Sequence, residues 1–215
     1  MTILPFRTRA EQERAVLPVI QHLRTGGLLA YPTETVYSFG CALEPAALEA
    51  LAELKGERPD KSFLLLIADP AQVPGLAWTE AALTLAAAFW PGPLTLALGL
   101  HTGAYPRLVL GANLTVAIRF TSHPGIRRLL LTYGAPITST SANLTGEMPA
   151  LDIAHVCELL TNLKVAATFL VLDGGVLKSS LPSTLVDCSV EPPRLVRSGA
   201  IPVETLKRHV HDLRT

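Results

Sequence analysis

Apolar positions fall along this chain at two alternating spacings, one helical and one extended. Thr8 and Glu11 form a T-x-x-E capping pattern ahead of Val16, Ile20 and Leu23, and Gly26-Gly27 supplies a stop. Pro18 is expected to kink that first helix. GLLAYP (27–32) reads as a short buried strand that delivers Thr33-Glu34-Thr35 to its end. Helices are predicted over 45–55, 79–89 and 124–131, and an amphipathic helix over 203–213 closes the chain. Strands are predicted over 63–68, 94–100, 115–120, 169–172, 184–186 and 195–196, and a short one precedes the hydroxyl run at 138–146. FLLLIA (63–68) is apolar without a break, as expected of a strand covered on both faces. This alternation predicts an α/β fold, a single domain over 1–215 with a twisted mixed sheet and flanking helices. Neither a repeat of 20 to 50 residues nor a low-complexity linker divides it, and Pro192-Pro193 is a turn signal only.

Composition narrows the class. Hydrophobic residues make up 49% and charged residues 17%, which excludes a disordered chain. Lys+Arg and Asp+Glu both number 18, so no net field draws the molecule to nucleic acid or an anionic membrane, and any anion site must be local. The most apolar stretch, 81–90, is half the ~20 residues needed to span a bilayer. Pro5 and the charges after it deny the N-terminus the apolar core of a signal peptide. Cys41, Cys157 and Cys188 lie far apart with no CxxC pair, which suits reduced thiols. A cytoplasmic location without membrane attachment is expected.

Five places carry candidate chemistry. Thr33, Glu34 and Thr35 follow an apolar strand and suit a small polar substrate, or else make a strand-to-helix turn with a threonine cap. Lys55, Arg58 and Lys61 place three cations in seven residues, either a phosphate clamp or a solvated loop paired through Glu57 and Asp60. Ser139, Ser141 and Asn143 lie in a hydroxyl run that offers donors to an anion, or forms ordinary Asx and Ser/Thr turns. Arg119 ends a strand close to His123, which either orients a carboxylate or caps the helix beginning at Pro124. Ser183 and Arg197 add a hydroxyl and a further cation near the C-terminus, whereas WPGP (90–93) reads as a structural stop and turn. P-loop, dinucleotide-binding, H-E-x-x-H and G-x-S-x-G motifs are all absent, so if ATP binds, it binds by another route. His209 and His211, two apart on the expected helix, do not form a metal pair.

Taken in order, GLLAYPTETVYSFG (27–40), the segment 55–66, WPGPLTL (90–96), VAIRFTSHP (116–124), PITSTSANLTG (136–146), PSTLVD (182–187) and LVRSGAI (195–201) resemble the YrdC/Sua5 family of threonylcarbamoyl-AMP synthases. The PTETVY and SAN-x-[ST]-G blocks are the most specific, and the length resembles the family's single-domain form. The resemblance implies a concave, positively lined nucleotide-binding cleft. There L-threonine and bicarbonate give a carbamate whose oxygen attacks the α-phosphate of ATP and displaces pyrophosphate. The product passes to a partner complex for t6A modification of adenosine 37 of tRNA.

By motif position, Thr33 and Thr35 are expected near threonine or the nucleotide, with Lys55, Arg58 and Lys61 on phosphates and Ser139, Ser141 and Asn143 lining the ATP site. Arg119 and His123 are expected at the threonine, Ser183 and Arg197 on the nucleotide side. Mg²⁺ is expected to travel mainly on the ATP phosphates, with no protein cage. Two departures stand out. Glu57 occupies the arginine position of the family's Lys-x-Arg and Arg58 follows it, while Ser38-Phe39 replaces the usual Gly-Leu after PTETVY. These keep two alternatives open, a non-catalytic RNA-binding member of the fold and a paralogue using another carbamoyl acceptor.

Overall fold

The computed structural model describes residues 1–56, 62–144, 146–178 and 181–215. Its strands are Thr2–Pro5 (β1), Leu28–Pro32 (β2), Tyr37–Gly40 (β3), Leu64–Ile67 (β4), Leu76–Ala77 (β5), Leu94–Leu100 (β6), Thr115–Phe120 (β7), Ile137–Ser141 (β8), Phe169–Asp173 (β9), Thr184–Asp187 (β10) and Arg194–Arg197 (β11). They form one sheet in the order β1-β9-β2-β3-β8-β4-β7-β6-β10-β11, with β5 paired to β6. The sheet is mixed: β4 and β7 run parallel, whereas β8 runs antiparallel to both β3 and β4. Helices are Arg9–Arg24 (α1), Pro45–Lys55 (α2), Glu80–Phe89 (α3), Pro124–Tyr133 (α4), Ile153–Asn162 (α5) and Val203–Lys207 (α6).

Strand periodicity sorts the core onto the two faces. Leu65, Ile67, Phe169 and Val171 join one buried cluster, while their neighbours Leu66, Ala68, Leu170 and Leu172 join the other. The second cluster includes residues of α1 and α4, namely Val16, Val19, Ile20, Leu23, Ile126, Leu129 and Leu130. Further along the sheet, Leu94, Leu96, Leu98, Val116 and Ile118 belong to the first cluster. By alternation the opposite face of β6 and β7 carries Thr95, Ala97, Ala117 and Arg119, which are small or polar. That face has the chemistry of a cleft floor.

The sheet is curved enough to make a cleft. From β3 to β7 is three steps, about 14 Å in a flat sheet at the usual strand spacing. Yet the β2–β3 turn reaches the end of β7, where the Thr121 hydroxyl donates to Glu34 Oε2 at 2.6 Å.

Several expectations are corrected. α1 runs unbroken through Pro18, which faces solvent, so water can satisfy the carbonyl that proline leaves without a donor. Thr33 and Thr35 sit in a turn between two antiparallel strands, not between a strand and a helix. The closing helix stops at Lys207 instead of reaching residue 213. Val210 and Leu213 remain buried, but the chain leaves the helix to join β11, with Arg214 N–H donating to Pro193 O and Leu195 N–H to Arg214 O. Strands β1, β3 and β5 and helix α5 were not anticipated.

Candidate functional site

The turn after β2 is built by one hydroxyl. Thr33 Oγ1 accepts from the backbone N–H groups of Thr35 and Val36 and lies 2.7 Å from the Val36 carbonyl, to which it donates. Arg119 Nη1 donates to Thr35 Oγ1 at 3.2 Å, and the two threonine hydroxyls are 2.9 Å apart. A guanidinium can only donate and a carbonyl only accept, so the proton direction along this chain is fixed: Arg119 to Thr35, Thr35 to Thr33, Thr33 to Val36. Both threonines are buried, at 2% and 1% exposure, and their hydroxyl protons are committed within the turn. Toward a ligand, Thr35 is therefore an acceptor.

His123 caps α4 as well as facing the site. Its Nδ1 accepts from the Ile126 N–H at 3.3 Å, which places the proton of the neutral ring on Nε2. Burial holds its pKa below the ordinary histidine value, with Glu34 opposing that shift in part. Phe6 stacks on the ring at a centroid separation of 5.7 Å. The group is thus built as a neutral hydrogen-bond donor.

At the β10 end, Arg197 donates to the Ser183 carbonyl and hydroxyl, and Ser183 Oγ lies 2.7 Å from Thr95 Oγ1. Although Arg197 is exposed along β11, the protein packed around its head group, and after that the charge of Arg119, lower its pKa. Gly199 makes this corner possible, since a Cβ there would lie 2.3 Å from the Pro182 carbonyl oxygen.

Lys55, at the last turn of α2, is buried, and its ammonium donates to Ser141 O, Asn143 O and Asn143 Oδ1. Ser141 Oγ donates to the same Asn143 oxygen at 2.6 Å, while the Asn143 amide donates to Glu147 O. The structure therefore unites Lys55 of the expected phosphate clamp with Ser141 and Asn143 of the hydroxyl run, the ammonium held by acceptors on β8 and the loop after it. Ser139 is buried on the same strand face as Ser141. Arg58 and Lys61 lie outside the described residues, as does the Glu57 departure.

Sequence reasoning placed Glu34 in the polar turn without a partner and overlooked Thr121 and Thr95. Each lies in or beside a block singled out for its motif, but their partners are 87 and 88 residues distant, so the pairings leave no local signal. Trp90 proves structural as expected: its indole N–H donates to Leu94 O, and Gly92 N–H donates to Phe120 O at the end of β7.

Cations and hydroxyls gathered at the strand ends of an α/β sheet have the chemistry that pairs with phosphate and carboxylate groups. The chain belongs to the Sua5/YciO/YrdC family, whose model, described as telomere recombination, matches residues 21–199. It is 35% identical over 195 residues to a threonylcarbamoyl-AMP synthase of Pyrococcus abyssi, covering 89% of this chain and 56% of that protein. A second, from Bacillus subtilis, is 36% identical over 86% of this chain, which spans 53% of it. The chain thus spans little more than half the length of these two relatives. It spans 91% of the Chromohalobacter salexigens threonylcarbamoyl-AMP synthase, at 36% identity over 80% of this chain. The crystal structure of P. abyssi Sua5 complexed with L-threonine superposes with a TM-score of 0.89 at 33% identity, covering all of this chain and 62% of that one. E. coli YciO superposes with a TM-score of 0.81 at 26% identity, covering 95% and 98%.

Proposed function

We propose that this chain forms threonylcarbamoyl-AMP and pyrophosphate from L-threonine, bicarbonate and ATP. The observation that carries this reading is the contact network joining Arg119, Thr35, Glu34, Thr121 and His123 at the end of β7, in a chain 35% identical to a threonylcarbamoyl-AMP synthase. The P. abyssi relative crystallised with L-threonine adds support for an amino-acid substrate.

The threonine amine condenses with bicarbonate, losing water, to give a carbamate. A carbamate oxygen attacks the α-phosphorus of ATP, the bond to the bridging oxygen breaks, and pyrophosphate leaves with the electron pair. Such a reaction needs orientation and charge stabilisation and no covalent nucleophile. Arg119 and His123 hold the threonine, the latter through its Nε2–H, and Thr33 shapes the turn that presents Thr35. Lys55, Arg58 and Lys61 serve the phosphates, Ser139, Ser141 and Asn143 line the ATP site, and Ser183 with Arg197 completes it. For Lys55 to reach a phosphate it must exchange at least one of its loop acceptors, which links nucleotide binding to the loop at Asn143.

Mg²⁺ carried by the ATP phosphates would supply neutralisation of the charge that develops there. Glu34, the carboxylate beside the threonine turn, is engaged by Thr121 and Arg119, which supports a phosphate-borne ion over a protein-held one. The product goes to a t6A-transferase complex acting on tRNA. No helix among the described residues is long and apolar enough to cross a membrane, and unpaired cysteines, two of them buried, support a cytoplasmic setting.

The test is mass spectrometry of the products after incubation with ATP, Mg²⁺, bicarbonate and isotope-labelled L-threonine, with pyrophosphate followed in parallel. A labelled adenylate that requires all three substrates is expected. ATP binding without adenylate would overturn the reading in favour of a paralogue with another carbamoyl acceptor, and salt-sensitive RNA binding without ATP turnover in favour of an RNA-binding protein.

A further inference from the structure

Arg119 and Glu34 form an ion pair largely sealed from solvent, with side-chain exposures of 4% and 14%. The pair is close without being a direct hydrogen bond: Arg119 Nε lies 3.6 Å from Glu34 Oε1, and Nε, Nη2 and Oε1 have no hydrogen-bond partner. What fixes the carboxylate is Thr121, whose hydroxyl donates to Glu34 Oε2 at 2.6 Å and accepts from the His123 N–H at 3.1 Å. Arg119 and Thr121 are two residues apart at the end of β7, the spacing that puts side chains on one face. The carboxylate therefore spans two points of one strand end from a turn belonging to another hairpin.

A buried guanidinium without a fixed counter-charge is costly, and it would relax toward solvent. Here its remaining hydrogen bond goes to Thr35 Oγ1, so any relaxation would release the head of the hydroxyl chain through Thr33. We propose that Glu34 and Thr121 are positioning residues: together they clamp the β2–β3 turn onto the end of β7 and hold Arg119 and Thr35 in register for the amino-acid substrate. Glu34 acts through its charge and Thr121 through its hydroxyl. The identity of that substrate rests on the function proposed above; the clamp itself does not.

The experiment is a double-mutant cycle on the full chain with Glu34→Gln and Arg119→Gln, together with Thr121→Val and Thr121→Ser. Glu34→Gln is expected to raise KM for threonine about tenfold while changing kcat and the KM for ATP by less than about threefold. In the Arg119→Gln background the same change is expected to have less than about a twofold effect, because coupled residues are not additive. Thr121→Val should resemble Glu34→Gln, and Thr121→Ser should restore threonine KM. In parallel, the ¹⁵N-arginine NMR signal of Arg119 Nε–H, assigned by its loss in Arg119→Gln, should exchange slowly with water in the parent and rapidly in Glu34→Gln. Should the parent make no adenylate, the functional reading fails and the NMR arm still decides the clamp. Should Glu34→Gln not fold, Thr121→Val carries the same measurements. Additive effects in the cycle, or an unchanged Arg119 signal in Glu34→Gln, or in Thr121→Val where Glu34→Gln does not fold, would overturn the proposal.

Discussion

Arg197 and Ser183 are joined by three hydrogen bonds, two from the guanidinium to the Ser183 carbonyl at 3.2 and 2.9 Å and a third to its hydroxyl at 3.1 Å. This fork ties β11 to the residue just before β10, whose hydroxyl lies against Thr95 on β6. A lysine would keep the charge but cannot reproduce the planar fork. Arg197→Lys is therefore expected to preserve folding and to lower adenylate formation about tenfold, roughly the loss of one charge-assisted hydrogen bond. Steady-state kinetics at saturating threonine check this; unchanged kcat/KM for ATP would remove Arg197 from the nucleotide side.

The same corner depends on Gly199. A methyl group there would meet Pro182 O at 2.3 Å and the backbone atoms Ser183 C and Thr184 N at 2.5 Å, none of which is the movable end of a side chain. Overpacking of this kind typically costs about 1–3 kcal/mol, or roughly 2–12 °C in melting temperature for a domain of this size. Gly199→Ala is expected to melt lower by that amount and to lose activity further than the melting shift explains. A parent-like melting temperature with parent-like kinetics would show that the loop retreats without cost.

How much of this was legible depended on whether a pattern was local. The run 63–68 was readable as a strand covered on both faces because Leu65 and Leu66 point into different clusters and both must be apolar. β3 was not, because Ser38 and Gly40 look like turn residues; Gly40 is required there by backbone contact, a Cβ lying 2.0 Å from Thr138 O. α5 carried a capping Asp152 and buried Val156, Leu159 and Leu160, a signal present but unused. The terminal helix was overextended for the opposite reason: burial of Leu206, Val210 and Leu213 keeps helical spacing after the backbone has left the helix. At the site, residue types marked Thr33, Arg119 and Lys55, whereas the Glu34–Thr121 contact depends on a sheet curvature that no local pattern encodes.

His123 makes stability depend on pH. Its pKa is lowered in the folded chain, chiefly by burial, so the unfolded chain binds the proton first as pH falls below about 6.5. Stability is fully present above that value and declines as pH drops toward the folded pKa; protonation of Nδ1 also removes the cap on Ile126. His123→Asn keeps a capping acceptor and does not titrate. Between pH 8 and pH 5 the parent is expected to lose more melting temperature than this variant, and parallel curves would show that another group dominates.

Lys55 separates a structural from a chemical contribution. Its ammonium is held by Ser141 O, Asn143 O and Asn143 Oδ1, and removing it leaves those acceptors to find other donors. Lys55→Met fills the same space without charge, and its cost in stability is expected to be about 1–3 kcal/mol. Asn143→Ala removes the Oδ1 acceptor and leaves the ammonium in place. If Lys55 also reaches phosphate, Lys55→Met should abolish adenylate formation while Asn143→Ala slows it about tenfold, a loss consistent with a displaced loop. Isothermal titration with ATP distinguishes the two: binding should be lost in Lys55→Met and weakened only slightly in Asn143→Ala. Equal ATP affinity in both variants would mean that Lys55 serves the loop alone, and the phosphates would then depend on other cations of the cleft.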